Sequence, residues 1–351
     1  MRTPVSIGVV GHLASAQPIV NAFEQLPQAE LRWLCGGRRT ARAAVSRRLG
    51  VRYTDRIGDL LDDEKLDAVV IAAPISTRYE FAAAAVDADK HVYVAGALAQ
   101  RADEADELLQ QARRRARCLV TGDIHLFDPA VDRLDGMLRS GVLGDVLYLR
   151  CVRTIAGRAR DEDDLLWGPG AEELALLLHL LGDEPTSIDA RAEAYLDPTA
   201  PDVLLCRLSF ATGIVAQIHL SALDARPLST QAVVGSRATA VLERSPSMPR
   251  RGLTIYSKAL TDRRGEGTAF VPGDVISPHV AVEDPVTRSC EAFLSAVRST
   301  VESVSRGREA VTVVETLETI QRSLARGGSV ELPRARTASD LRLVGTPTPA
   351  R

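Results

Sequence analysis

Residues Val5 to Ala16 read VSIGVVGHLASA, an apolar and largely β-branched run that stops at Gly11 and resumes with the spacing of a helix. An uninterrupted apolar run bounded by glycine fits a strand buried on both faces of a parallel sheet. A helix beginning at once after such a strand points its N-terminal amides at the turn, the arrangement that receives a phosphate. Such a turn needs glycine for the bend, for close approach of the phosphate, and for packing helix on strand. Here those three places are Gly11, Leu13 and Ala16. Ala16 serves at the third, but Leu13 sets a branched side chain where a pyrophosphate would touch backbone. His12, inside the turn, either reaches a phosphate or fills the space.

Downstream, strands and helices alternate. A strand over 31–35 leads to Gly36 and Gly37 and then to a helix ending at Leu49. A short helix at 57–61, a strand at 68–72, a helix over 79–86 capped by Ser76, a strand at 91–94, a helix over 104–114 and a strand at 118–120 follow. This alternation predicts a doubly wound parallel sheet. Beyond a helix at 129–140 the strands lengthen and alternate apolar with polar. Leu204, Cys206, Leu208 and Phe210 share one face, Ala211, Thr212 and Gly213 turn the chain, and Ile214, Ala216, Ile218 and Leu220 continue the apolar face. Further strands at 187–195, 231–235, 238–243 and 253–257 predict a large, mostly antiparallel open sheet. Helices at 170–181, 286–304 and 311–325 are available to cover it. The expected fold is α/β: a Rossmann-type domain over 1–121, an α+β domain over 122–335, and a disordered tail over 336–351.

With 351 residues and 45% apolar content, two domains of this size can each fill a core. The 43 basic and 46 acidic residues are interspersed, which excludes a nucleic-acid footprint. The cluster Arg113, Arg114, Arg115 and Arg117 ends a predicted helix, where cations offset the dipole. No apolar run approaches the roughly 20 residues a membrane helix needs, and the expected location is the cytoplasm. Five cysteines without paired spacing read as buried free thiols rather than zinc ligands or disulfides.

This layout resembles the Gfo/Idh/MocA family of nicotinamide-dependent sugar and cyclitol oxidoreductases. The resemblance is carried by LDAVVIAAPISTRYEFAAAAVDADKHVYV from Leu66, LRSGVLGDVLYLR from Leu138, LLLHLLGDEPTSIDA from Leu176 and VVGSRATAVLE from Val233. It implies a substrate bound between the two domains and an open sheet that often mediates oligomers, either of this chain or with an active relative. It also implies a loop beneath the nicotinamide ribose, matched by Ala73, Pro74 and Ser76, with Arg78 where a histidine is usual. The family's Glu-Lys-Pro, whose lysine assists proton transfer, falls on Ala95, Gly96 and Ala97. Its aspartate and histidine, four residues apart, fall on Gly168 and Glu172.

The acid that binds ribose hydroxyls in family members using NAD is replaced by Gly36, with Arg38 and Arg39 close behind. A small residue followed by arginines suits the 2′-phosphate of NADP. The expected cofactor is NADP(H) before NAD, or none where Leu13 closes the turn. Candidates for replacement acid–base chemistry are Glu172, Asp123 and His125. Glu172 and Glu173 are equally explained by the helix dipole, and Asp123 and His125 by loop structure. His179, among leucines, reads as a core histidine. No residues show metal-ligand spacing.

Two functional readings stand. The first is a divergent family member without the acid–base set, acting as a non-catalytic subunit or sensor or repurposed for a non-redox step in specialised metabolism. The second is an NADP(H)-dependent oxidoreductase of a sugar-like small molecule with non-standard acid–base residues.

Overall fold

The computed structural model describes residues 3–36, 45–155, 164–244, 252–263, 267–299 and 305–332. Arg38, Arg39, most of the charged loop at 158–164 and the C-terminal tail lie outside the described residues.

The first sheet is parallel throughout, in the order β3-β2-β1-β4-β5-β6. Its strands are β1 (Val5–Gly11), β2 (Ala29–Cys35), β3 (Arg52–Thr54), β4 (Ala68–Ala72), β5 (His91–Val94) and β6 (Leu119–Thr121). Helices α1 (Leu13–Gln25), α2 (Ile57–Leu61), α3 (Ile75–Asp87) and α4 (Ala102–Arg114) connect them. Every residue of β1 and of β4 is buried, as their apolar runs require. The order reverses between β1 and β4, and the crevice at such a switch point is where an open α/β sheet binds its ligand.

After a 3₁₀ turn (Ile124–Phe127), α5 (Pro129–Arg139) leads into the second sheet. Its nine strands run β14-β13-β12-β11-β7-β10-β9-β8-β15. They are β7 (Val146–Thr154), β8 (Pro185–Glu193), β9 (Val203–Phe210), β10 (Val215–Ser221), β11 (Leu228–Gly235), β12 (Ala238–Arg244), β13 (Gly252–Arg263), β14 (Gly267–Ile276) and β15 (Val330–Glu331). Only β7 and β10 pair in parallel. The hairpin read from alternation is present: β9 and β10 pair Leu208 with Ala216, Cys206 with Ile218 and Leu204 with Leu220. These residues are buried under α6 (Ala171–Leu181) in one apolar cluster with Leu174, Leu176 and Leu177.

Helices α7 (Pro285–Arg298) and α8 (Ser305–Arg326) turn back toward the first sheet. Cys290, Phe293 and Leu294 of α7 are buried with Val5, Ile7, Val20 and Phe23. The Tyr93 hydroxyl of β5 lies 2.9 Å from Ser289 Oγ, and the Phe293 ring meets Tyr93 edge-on at 5.5 Å. The face of the N-terminal sheet is thus closed by a helix from the far end of the chain.

Several expectations need correction. Ser76 does not cap its helix: α3 starts at Ile75 after Pro74, whose fixed φ of −53° sets the entry, and Ser76 is exposed within the first turn. The helix expected over 286–304 stops at Arg298, where Ser299 turns extended. α8 starts at Ser305, ahead of the expected Val311. β14 escaped reading because Pro272 and Gly273 interrupt it, and both are tolerated in an edge strand. All five cysteines are buried and outside any disulfide, as expected.

Candidate active site

At the β1–α1 turn Gly11 has φ +132°, and a Cβ there would lie 2.0 Å from the Ala72 carbonyl oxygen. Only glycine fits between β1 and β4 at this point, and the His12 amide donates to Ala72 O at 3.1 Å. Ala16 is buried, and its amide donates to His12 O. His12 precedes α1 without a side-chain capping bond, and the first turn carries no acid. The first amides of α1 have no intrahelical acceptor, so the positive end of the helix faces the crevice without a competing carboxylate. Leu13 is the first residue of α1, and its side chain lies outside the described part of the structure. Gly36 ends β2 at φ +81°, and a Cβ built on it would lie 3.8 Å from Gly11 O. These features fit a dinucleotide phosphate at the turn.

Beside this turn lies a cavity of about 270 Å³. His12, Ala72, Ala73, Pro74 and Arg78 line its N-terminal side, Ala95, Gly96 and Gly122 its floor, and Trp167, Gly168 and Glu172 its far wall. The three positions that the resemblance assigns to acid–base chemistry, 96, 168 and 172, therefore converge on one space. Two are glycines, and the third is a carboxylate.

Glu172 opens α6 and meets His125 of the 3₁₀ turn, with Nε2 and Oε2 3.0 Å apart. Burial pushes the Glu172 carboxyl up, but the charge and hydrogen bond of His125, with Arg153 and Arg244, outweigh it and bring the value down to about 2. The carboxylate stays ionised, so the imidazole Nε2–H donates to it. His125 side-chain exposure is 13% and that of Glu172 is 34%.

Sequence reading treated Glu172 and Glu173 alike, but the structure separates them. Glu173 has no exposed surface. Ser229 Oγ donates to its Oε1 at 3.0 Å and Gln231 Nε2 to its Oε2. Arg244 Nη2 lies 3.5 Å and Arg153 Nη1 3.8 Å from Oε1, and Arg153 Nη2 also stands 3.8 Å from Glu172 Oε2. A charged network therefore runs from the cavity into the second sheet. Two signals for it were present in the sequence. Glu173 interrupts a leucine-rich helix face, and the alternation of Ala238, Ala240 and Leu242 puts Arg244 inward.

Asp123 and His125 lie beyond β6, which ends at Thr121, with His125 in the 3₁₀ turn. Asp123 instead faces a second cavity of about 210 Å³, with Thr121, Leu126 and His179. His179 is half-buried on that cavity rather than a core residue. Among the described residues no group of His, Cys, Asp and Glu is arranged to hold a metal ion.

A parallel sheet of this order, with a helix N-terminus and a cavity at its switch point, defines a Rossmann-type nucleotide-binding fold joined to a large open sheet. Residues 5–123 match the Gfo/Idh/MocA model, described as an oxidoreductase family with an NAD-binding Rossmann fold. That match takes in about a third of the chain, and the relatives below support a Gfo/Idh/MocA oxidoreductase over more of its length. It is 30% identical over 187 residues to inositol 2-dehydrogenase 2 of Saccharopolyspora erythraea, a match covering 51% of this chain and 55% of that one, about half of each. It is 29% identical over 305 residues to UDP-N-acetylglucosamine 3-dehydrogenase of Acidithiobacillus ferrooxidans, covering 85% and 88%. The crystal structure of that dehydrogenase superposes with a TM-score of 0.77 and 21% identity over 93% of this chain and 99% of the other, a likeness of fold. A third relative, dTDP-3,4-didehydro-2,6-dideoxy-alpha-D-glucose 3-reductase of Streptomyces violaceoruber, is 26% identical over 305 residues, covering 83% and 85%.

Proposed function

We propose that this protein is a nicotinamide-dependent oxidoreductase of a sugar-like substrate, in which Glu172 and His125 do the proton work at a site whose usual lysine and aspartate positions are glycines. The observation that carries it is the 3.0 Å contact of His125 with Glu172, the carboxylate that lines the cavity together with Gly96 and Gly168. The β1–α1 turn and the cavity beside it, with His12 and Pro74, would hold a nicotinamide dinucleotide, which would supply the hydride chemistry at a carbinol carbon. Glu172, held ionised, accepts the hydrogen bond of the reacting hydroxyl and fixes its direction. His125, hydrogen-bonded to that carboxylate, is the adjoining group through which the proton passes. In oxidation the hydroxyl proton leaves through this pair, and in reduction it returns to the carbonyl oxygen. Relatives named for a nucleotide-sugar dehydrogenase and a nucleotide-sugar reductase along most of the chain make an activated hexose the first class to test. NADP(H) is the preferred cofactor in this reading, on the strength of Gly36, Arg38 and Arg39 in the sequence.

The second reading, a protein without redox turnover, is favoured by Gly96 and Gly168, which hold no proton at all. One experiment separates the two. The purified chain is titrated calorimetrically with NADPH, NADP, NADH and NAD, and again as Arg38→Ala. It is then assayed with UDP-N-acetylglucosamine, a dTDP-hexose and myo-inositol. Dinucleotide binding with turnover that Glu172→Gln abolishes supports the first reading. Failure to bind any of the four nucleotides overturns it.

A further inference from the structure

The second cavity has no part in the reading above. It measures about 210 Å³, against the roughly 30 Å³ that one water takes up in the liquid. Native interiors hold few voids larger than a single water, so a space of this size is more than a packing gap. Three elements wall it. Leu126 of the 3₁₀ turn, Ala175 and Leu178 of α6, and Ala310 and Val313 of α8 supply apolar surface, and all of these but Leu126 are buried. His179, Asp183, Glu184 and Glu309 stand around this surface. An apolar wall with a few polar groups to one side is the usual make-up of a small-molecule site.

The polar groups select the charge of an occupant. Asp183 and Glu184 follow α6 directly and are half-buried. Thr312 Oγ1 of α8 donates to Glu184 Oε1 at 3.1 Å, which fixes that carboxylate at the cavity. Arg308, the one lysine or arginine among the described lining residues, is drawn toward Glu315, with Nη2 and Oε1 3.6 Å apart. Burial holds the Glu315 carboxyl above its ordinary value, Arg308 lowers it, and the charges of Glu184 and Asp106 raise it again. Negative charge is therefore crowded along this side of α8.

We infer that this cavity is a second ligand site, for a small organic amine, whose occupant bears on the His125–Glu172 pair. The ammonium group faces Asp183 and Glu184, and the hydrocarbon part lies on Leu178, Ala310 and Val313. Two elements are common to both cavities. In the 3₁₀ turn Ile124 lines the first cavity and Leu126 the second, with His125 between them. On α6, Glu172 lines the first cavity and Ala175, three residues on, lines the second. An occupant thus touches both elements that position the pair, and a ligand that alters one site through such shared contacts is coupled to it. The inference needs neither dinucleotide binding nor turnover.

The test is a titration of the full chain, carrying ¹³C-labelled histidine, with cyclohexylamine at neutral pH, followed by NMR. Cyclohexanol and cyclohexanecarboxylate are the controls of like shape, and His179→Gln and His125→Gln assign the two signals. The His179 signal reports occupancy, and the His125 signal reports coupling. Both should move with one midpoint on adding the amine, while the alcohol and the acid bind at least about tenfold more weakly. Glu184→Gln, which keeps an acceptor for Thr312, should weaken the amine by about tenfold. A His179 signal that stays still up to about 20 mM amine, responds equally to the alcohol or the acid, or keeps its midpoint in Glu184→Gln overturns the site. A still His125 signal beside a moving His179 signal overturns the coupling. Failure of the chain to bind any dinucleotide changes none of these outcomes.

Discussion

His125 and Glu172 are 47 residues apart in sequence and 3.0 Å apart in space, joined where the turn after the first sheet meets the helix that covers the second. The contact ties the two halves of the molecule together at the cavity. It also puts the carboxylate that lines the cavity beside an imidazole, so a change at either residue acts on chemistry and on acid stability together.

Glu172→Gln should lower turnover by about 10²–10⁴-fold while dinucleotide binding persists, since a positioned proton acceptor is worth that much. Steady-state rates and calorimetry on the same preparation check this. Equal loss of both would place the residue in folding instead.

The same variant should change the acid limb of stability. The Glu172 carboxyl goes from 4.5 when unperturbed to about 2 in the folded protein. A lowered value contributes stability that is complete above 4.5 and lost as pH falls toward 2. One-third of this side chain is exposed, so screening reduces the contribution to about 1–2 kcal/mol. Urea midpoints of wild type and Glu172→Gln should therefore differ at pH 6, draw together as the pH falls from 4.5, and converge only below pH 2.

Glu173→Ala should be far more damaging, at about 3–5 kcal/mol, because it strands Arg244 in the interior without its carboxylate. Arg244 already has Nε and Nη1 buried without a hydrogen-bond partner among the described residues, which leaves it little tolerance. Chemical denaturation measures the loss, and Glu173→Gln, which keeps one of the two acceptor oxygens used by Ser229 and Gln231, should recover part of it.

Gly11→Ala should open the junction of β1 and β4. A Cβ 2.0 Å from Ala72 O cannot be accommodated without backbone movement, and φ +132° adds strain. A cost above roughly 2 kcal/mol is expected, against about 1 kcal/mol for Gly213→Ala, where φ is +83° but nothing lies within 4 Å. Thermal melts of the two variants rank them.

Phe293→Ala should cost about 3–5 kcal/mol, and the fragment 1–155 should aggregate. Phe293 packs on Tyr93 and Phe23, so the N-terminal sheet borrows part of its core from α7. Gel filtration of the fragment and a melt of the variant check this pair.

Much of the architecture was legible because it is local. The β-branched runs at Val5 and Ala68, the period-two pattern of Leu204 to Leu220, and the glycine at the end of β1 each state their conformation within a few residues. β14 was hidden because an edge strand tolerates the Pro272 and Gly273 that would break an inner one. The positions that line the cavity were legible only through resemblance to a family, which placed 96, 168 and 172 together without saying what replaced their chemistry.

The sequence by itself determined the alternating elements of the first sheet, the buried face of the β9–β10 hairpin, and the glycine that the first turn demands, because these follow from propensity and periodicity along the chain. The tertiary structure alone decided that His125 meets Glu172, that Glu173 is buried on Arg244, that Arg78 occupies the space beside Gly96, and that α7 completes the core of the first sheet. Each of these depends on the distance between elements far apart in sequence, and that distance is set by the packing of whole sheets and helices.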